Sequence, residues 1–322
     1  MSQTTKALPL LEKDNKMGSQ GIANDPASGS AEDRRMLAYA APSLFQPHNA
    51  RQAIRDAHER KIAPLMCVFY GISSVPVARL LAPFGFDAVW IDWEHSSCNV
   101  ETMTTIVHET MFMSGGRTIP FVRVPGHDHA SIGFALDCGA SIVVPQVDTV
   151  EQCKHVISAA KYGTKQNGSR SAPPFRLIPG VTDMPMMGND LHKSLNDQAA
   201  IMIQTETLEG INNLDAILTE CPEVDMVWLG ALDARVSMNL IANQGMAGTE
   251  PEWIEAEKTF EETIKKHNKP RGGFGFGPMI KKNVEKGFAL ITYDADVMKL
   301  GSMGKSLAEA RAEVAYCVKK QS

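Results

Sequence analysis

Short apolar runs recur along this chain, each followed by a segment with apolar residues at helical spacing. Runs over 64–70, 87–92, 118–123, 141–145, 199–204, 224–229 and 288–292 read as buried strands. A weak, glycine-rich strand over 272–277 precedes the last of them. Helical periodicity occupies 75–83, 100–113, 130–138, 150–160, 210–220, 252–267 and 306–319. An earlier helix over 47–60, with Ala50, Ala53, Ile54 and Ala57 at helical spacing, is expected to cap the bottom of the domain.

Strands alternating with helices predict a parallel sheet, and eight of them predict a (β/α)8 TIM barrel as one domain over 45–322. An open dinucleotide-binding sheet would carry GxGxxG after the first strand, and Tyr70-Gly-Ile-Ser-Ser74 does not. Residues 1–44 are rich in small and polar residues and read as a flexible extension that orders only against a neighbouring subunit. The excursion over 163–198 is too long for a βα connection and reads as a lid or oligomer arm.

Composition narrows the function. A net charge of −5 gives no reason to expect nucleic acid or an anionic membrane as partner. No apolar run is long enough to span a bilayer and the first residues lack a signal-peptide layout, so a cytoplasmic location is expected. The 6 cysteines form no CxxC pair, which favours reduced thiols over a zinc site.

In a barrel the C-terminal ends of the strands converge on one pocket. Strand two ends in Val89-Trp-Ile-Asp92-Trp-Glu94-His95, and strand three in Arg123. Strand four ends at Gln146, strand five brings Gln204 and Glu206, and strand six brings Asp233. Glu206 and Asp233 suit Mg²⁺ or Mn²⁺, which accept carboxylates and keep positions for water or substrate; solvated loop acids are the alternative. Arg123 suits a carboxylate or an ion pair to Asp92 or Glu94. His95 is a general base, a metal ligand or a structural histidine. Asp137 ends a helix and would ordinarily be a cap.

Six segments in register resemble the HpcH/HpaI aldolases, the metal-dependent class II pyruvate aldolases of the phosphoenolpyruvate/pyruvate type of barrel. They are Ile91-Asp-Trp-Glu-His95, Pro120-Phe-Val-Arg123, Leu136-Asp-Cys-Gly-Ala140, Val143-Val-Pro-Gln-Val147, Gln204-Thr-Glu-Thr207 and Leu229-Gly-Ala-Leu-Asp233. The long extension and Cys67-Val-Phe-Tyr-Gly71 look most like the macrophomate synthase branch.

The resemblance implies Glu206 and Asp233 as ligands of Mg²⁺, with Mn²⁺ or Co²⁺ as substitutes. It implies Arg123 stabilising an enolate oxygen, and His95 relaying protons, oriented by an Asp137 that can come from a neighbouring subunit. Gln204, Leu232, Asp233 and Arg123 would contact the substrate. The implied activity is carbon–carbon lyase chemistry through a pyruvate enolate, by aldol cleavage of 4-hydroxy-2-oxo acids or oxaloacetate decarboxylation. The implied assembly is a homo-oligomer, a hexamer, with the last helix swapped between subunits. A citrate-lyase-β-like enzyme acting on a CoA ester or phosphoenolpyruvate would instead use Arg170 and Arg176, and a barrel kept as a binding scaffold would fit the altered loop Asp233-Ala-Arg235. That loop departs from the family's Gly-Pro-Ala-Asp-Leu-Ser, and Tyr293 predicts a narrower pocket.

Overall fold

The computed structural model of the protein describes residues 35–41, 43, 45–173, 178, 190–245 and 248–321. Most of the expected flexible extension, Arg176, Pro179-Gly and the Met184-Pro-Met-Met187 part of the excursion lie outside those residues.

Eight parallel strands close on themselves in sequence order, β1 to β8. They are β1 (Leu65–Tyr70), β2 (Ala88–Asp92), β3 (Ile119–Arg123), β4 (Ser141–Val144), β5 (Ile201–Thr205), β6 (Met226–Leu229), β7 (Arg271–Phe274) and β8 (Leu290–Ala295). The helices are α1 (Ala50–His58), α2 (Val75–Leu81), α3 (Val100–Met113), α4 (His129–Asp137), α5 (Val150–Ala160), α6 (Leu191–Gln198), α7 (Leu208–Glu220), α8 (Ala231–Ser237), α9 (Pro251–Lys266), α10 (Met279–Glu285) and α11 (Asp296–Gln321).

Strand side chains alternate between two cores, as a barrel requires. Cys67, Trp90, Phe121, Val143, Met202 and Trp228 fill the interior and continue to Ala50, Ala53 and Ile54 of α1, which closes the bottom. Val89, Ile91, Val122, Ile142, Ile203 and Val227 face outward against the helices. Leaving β2, β3, β4 and β5 at the top, the chain restarts as helices behind side-chain caps. Asn99 accepts from the Thr102 amide at 2.8 Å, Asp128 from Ser131 at 2.8 Å and Thr207 from Gly210 at 2.9 Å. Thr149 and Gln152 close a capping box at α5. Each cap contributes about 1 kcal/mol and fixes where the top loops end.

Three helices were not expected from periodicity: α6 within the long excursion, α8 beyond β6 and α10 beyond β7. The last helix begins at Asp296 rather than 306. Asp296 accepts from the amides of Gly71 (2.8 Å) and Ile72 (3.1 Å), which fixes the start directly after β8. Gly301 and Gly304 hide this stretch from a propensity reading. Beyond Asp296 the helix is exposed along its length.

Candidate active site

A cavity of about 580 Å³ opens at the C-terminal ends of the strands. Its wall includes His95, Arg123, Gln204, Glu206, Leu232 and Asp233. Residues from the loop after β2, from β3, from β5 and its end, and from α8, distant in sequence, are thereby brought together.

Glu206 follows directly on β5 and is 3% exposed. Its Oε2 accepts the backbone N–H of Gln146 at 3.0 Å and its Oε1 accepts the Gln204 amide at 2.7 Å. Gln146 reaches it from a left-handed conformation (φ 49°), a turn that cannot be read from the sequence. Burial, with the Asp233 charge adding to it, pushes the Glu206 carboxyl up to about 7. Asp233 lies in the first turn of α8 and not, as expected, simply at a strand end. A carboxylate there is favoured by the free N–H groups of the helix start. The N-cap is Gly230, where an added Cβ would stand 2.2 Å from Glu206 Oε1.

Arg123 is the register partner of Asp92 across β2 and β3. Its Nε donates to Asp92 Oδ1 at 2.8 Å and lies 3.2 Å from Glu94 Oε2. The guanidinium also sits 5.7 Å from the Phe69 ring centre and 5.6 Å from that of Trp90. Arg123 is thus ion-paired to Asp92 and Glu94 through one edge and also lines the cavity. Burial holds the Glu94 carboxyl above its ordinary range, with Arg123 and His95 opposing. His95 Nε2 is 3.6 Å from Glu94 Oε2, with the ring 67% exposed at the rim.

Asp137 is not at the cavity. It ends α4, which runs from the top of β3 back to the bottom, and it accepts from Arg170 at 2.7 Å. Within one chain Asp137 and His95 therefore occupy opposite ends of the barrel. Arg170 is 8% exposed and lies 4.5 Å from the Tyr162 ring centre. It is spent on this bottom cluster and does not line the cavity, where the citrate-lyase-β-like alternative would need it for a phosphate or CoA group. Arg235, 1% exposed, turns outward to Glu250 (2.7 Å), the Ile241 carbonyl (2.8 Å) and the Trp253 ring (5.2 Å). It locks the loop after α8 without disturbing Asp233. Tyr293 stacks near Phe86 (6.3 Å) outside the cavity wall, so it does not narrow the cavity.

The sequence reading missed Gly230, the Gln146 amide and an aromatic face built by Phe69, Trp90, Trp228, Phe274 and Phe276. The glycine run in β7 was the available signal. A Cβ at Gly272 would lie 2.8 Å from the Trp228 ring, so the strand is bare where large rings press on it.

A buried carboxylate whose proton affinity is raised by burial and by the neighbouring Asp233 charge is a donor that fits a divalent cation, which relieves the repulsion a proton would otherwise relieve. Among the described residues no group of three or more His, Cys, Asp or Glu could hold a metal. An ion held by Glu206 and Asp233 would therefore draw its remaining ligands from water or substrate oxygens, as Mg²⁺ does.

The sequence matches the HpcH/HpaI aldolase/citrate lyase family over residues 65–310. The chain belongs to that family. It is a carbon–carbon lyase by membership. A solved structure of macrophomate synthase superposes with a TM-score of 0.77 and 33% identity, over 89% of this chain and 98% of that one. The 4-hydroxy-2-oxo-heptane-1,7-dioate aldolase of Escherichia coli is 29% identical over 266 residues, 80% of this chain and 94% of that protein. A family protein from Burkholderia cenocepacia J2315 shares the fold, with a TM-score of 0.70 at 24% identity. Among the described residues no helix is long and apolar enough to cross a membrane.

Proposed function

We propose that this lyase forms the enolate of pyruvate in a divalent-metal-dependent reaction, by aldol cleavage of a 4-hydroxy-2-oxo acid or by decarboxylation of oxaloacetate. The observation that carries the reading is the Glu206–Asp233 pair facing Arg123 across one cavity. The part of the 580 Å³ cavity lined by Glu206, Asp233 and Arg123 suits a small, oxygen-rich anion.

Glu206 and Asp233 would hold the cation, Mg²⁺ by the hardness and number of the donors, with Mn²⁺ or Co²⁺ as substitutes. Bound there, it supplies positive charge to the oxygens of the 2-oxo acid. Gln204 and the Gln146 amide hold Glu206 in place, so the carboxylate does not swing to answer the substrate. Arg123, held by Asp92 and Glu94, supplies a preoriented guanidinium to the oxygen that gains negative charge. The backbone around Leu232 and Asp233, at the start of α8, binds the carboxylate of the acid. His95 at the rim moves the proton between Nε2 and the bond that forms or breaks.

Asp137 would orient His95 only from a second copy of the chain, since its own barrel separates the two. The exposed α11, with Val297, Met298, Leu300, Met303 and Leu307 unburied, supports a homo-oligomer; the number proposed, a hexamer with that helix exchanged, follows the family resemblance.

The test is the purified protein assayed with Mg²⁺ for oxaloacetate decarboxylation and for deuterium exchange into the methyl group of pyruvate. Both are expected, both should vanish on chelation, and both should return with Mg²⁺. Absence of both activities with metal present would overturn the reading. Calorimetric titration with Mg²⁺ and oxalate separates it from the scaffold alternative, which predicts no metal-dependent binding.

A further inference from the structure

Beyond the enolate side of the cavity lies a wall of a different character. Trp90 and Trp228 pack edge to face at 4.7 Å, and Trp228 meets Phe274 edge to face at 5.1 Å. Phe276 stacks on Phe274 at 5.6 Å with 18° between the rings. Phe69 completes the set, 5.9 Å from Trp90 and 6.2 Å from Phe274. All five rings line the same cavity as Arg123 and Glu206. Phe274 is 39% exposed, so one ring of the wall is open to whatever enters.

The buried cations on this side are already matched. Arg271 and Lys286 both bind Glu261, with Lys286 at 2.7 Å. Arg123 is held by Asp92 and Glu94. Lys282 is exposed. Glu257 and Glu261 add negative charge to the lining. An acceptor carrying a second carboxylate would meet aromatic faces and acids and would lose hydration, with the buried Arg123 and Arg271 already ion-paired and, among the described residues, only the exposed Lys282 to answer it. A flat, uncharged ring would meet partners that prefer stacked and edge-to-face contacts.

Resting on the lyase reading above, we propose that the carbonyl partner of the enolate is an aromatic aldehyde rather than an acid semialdehyde. In the forward direction the methyl carbon of pyruvate gives a proton to the base, and the resulting enolate carbon bonds to the aldehyde carbon. The carbonyl π pair moves to the aldehyde oxygen, which takes back one proton; no oxidant or further reactant enters. Cleavage is the same sequence reversed, releasing the aryl aldehyde and pyruvate.

The experiment uses the whole protein with Mg²⁺ and pyruvate, comparing benzaldehyde, acetaldehyde and succinate semialdehyde as acceptors by kcat/KM. Benzaldehyde is expected to exceed succinate semialdehyde by at least about tenfold. Phe274→Leu and Phe276→Leu keep apolar volume but remove a ring, and each should lower the benzaldehyde-to-acetaldehyde ratio several-fold. Preference for succinate semialdehyde, or an unchanged ratio in both variants, would overturn the proposal. Oxaloacetate decarboxylation measured in parallel reads enolate formation alone. Its presence together with succinate semialdehyde preference refutes only the acceptor assignment, whereas its absence together with absence of deuterium exchange into pyruvate, with metal present, refutes the enolate reading itself.

Discussion

Glu206 Oε1 fills the space that a Cβ on Gly230 would need, at 2.2 Å from where that atom would be. Gly230 has an ordinary backbone conformation (φ −79°), so the requirement is one of room and not of strain. Gly230→Ala should therefore push the Glu206 carboxylate aside while the barrel still folds, at a stability loss of about 1–3 kcal/mol. We expect weakened Mg²⁺ binding by calorimetry and a fall in kcat of at least about a hundredfold. Unchanged metal affinity in a folded Gly230→Ala protein would show that Glu206 is not a ligand.

Arg123 uses its Nε on Asp92 and Glu94, which leaves the outer part of the fork for substrate. Arg123→Lys retains a charge but not two sets of donors in one plane. The expected result is a fall in oxaloacetate decarboxylation of roughly 10²–10³, the loss typical of one donor to a developing oxyanion. A variant within threefold of the wild type would remove Arg123 from the proposed chemistry.

Asp137 and His95 lie at opposite ends of one barrel, so their cooperation requires two chains. His95→Ala and Asp137→Asn should each be nearly inactive alone, the asparagine still accepting a hydrogen bond from Arg170. Co-expression or subunit exchange of the two should restore roughly a quarter of wild-type activity, because a site drawing one residue from each of two chains finds both intact with that frequency. No recovery in verified mixed oligomers would show that Asp137 does not complete the site.

His48 is buried with Nε2 2.9 Å from the Gly116 carbonyl, and burial lowers its pKa to about 4. The unfolded chain takes up this proton near pH 6.5 and the folded chain does not until about 4. Stability is therefore complete above about pH 6.5 and is lost as pH falls towards 4, by at most roughly 3 kcal/mol from this residue. Urea unfolding between pH 4 and 7 should show this slope, and His48→Gln should flatten it.

The alternation of apolar runs and amphipathic segments by itself determined the eight-stranded barrel and the identity of the strand-end residues. Period and burial are local properties, and a parallel sheet with helices on its outer side leaves few other ways to cover every apolar face. His95, Arg123, Gln204, Glu206 and Asp233 could be picked out because each lies at or just beyond the C-terminal end of a strand that the pattern marks.

Tertiary structure decided the rest. Which end of the barrel Asp137 and Arg170 occupy depends on the course of α4 and the excursion after α5, and charge spacing carries no sign of it. Asp233 belongs to a short helix that no periodicity marks, because seven residues are too few to display a period against its neighbours. The Gln146 amide reaches Glu206 only through a left-handed turn, and the aromatic wall assembles from β1, β2, β6, β7 and the loop beyond. Each of these depends on the closure of β1 onto β8, a contact between chain segments far apart in sequence, which sets who faces whom across the cavity.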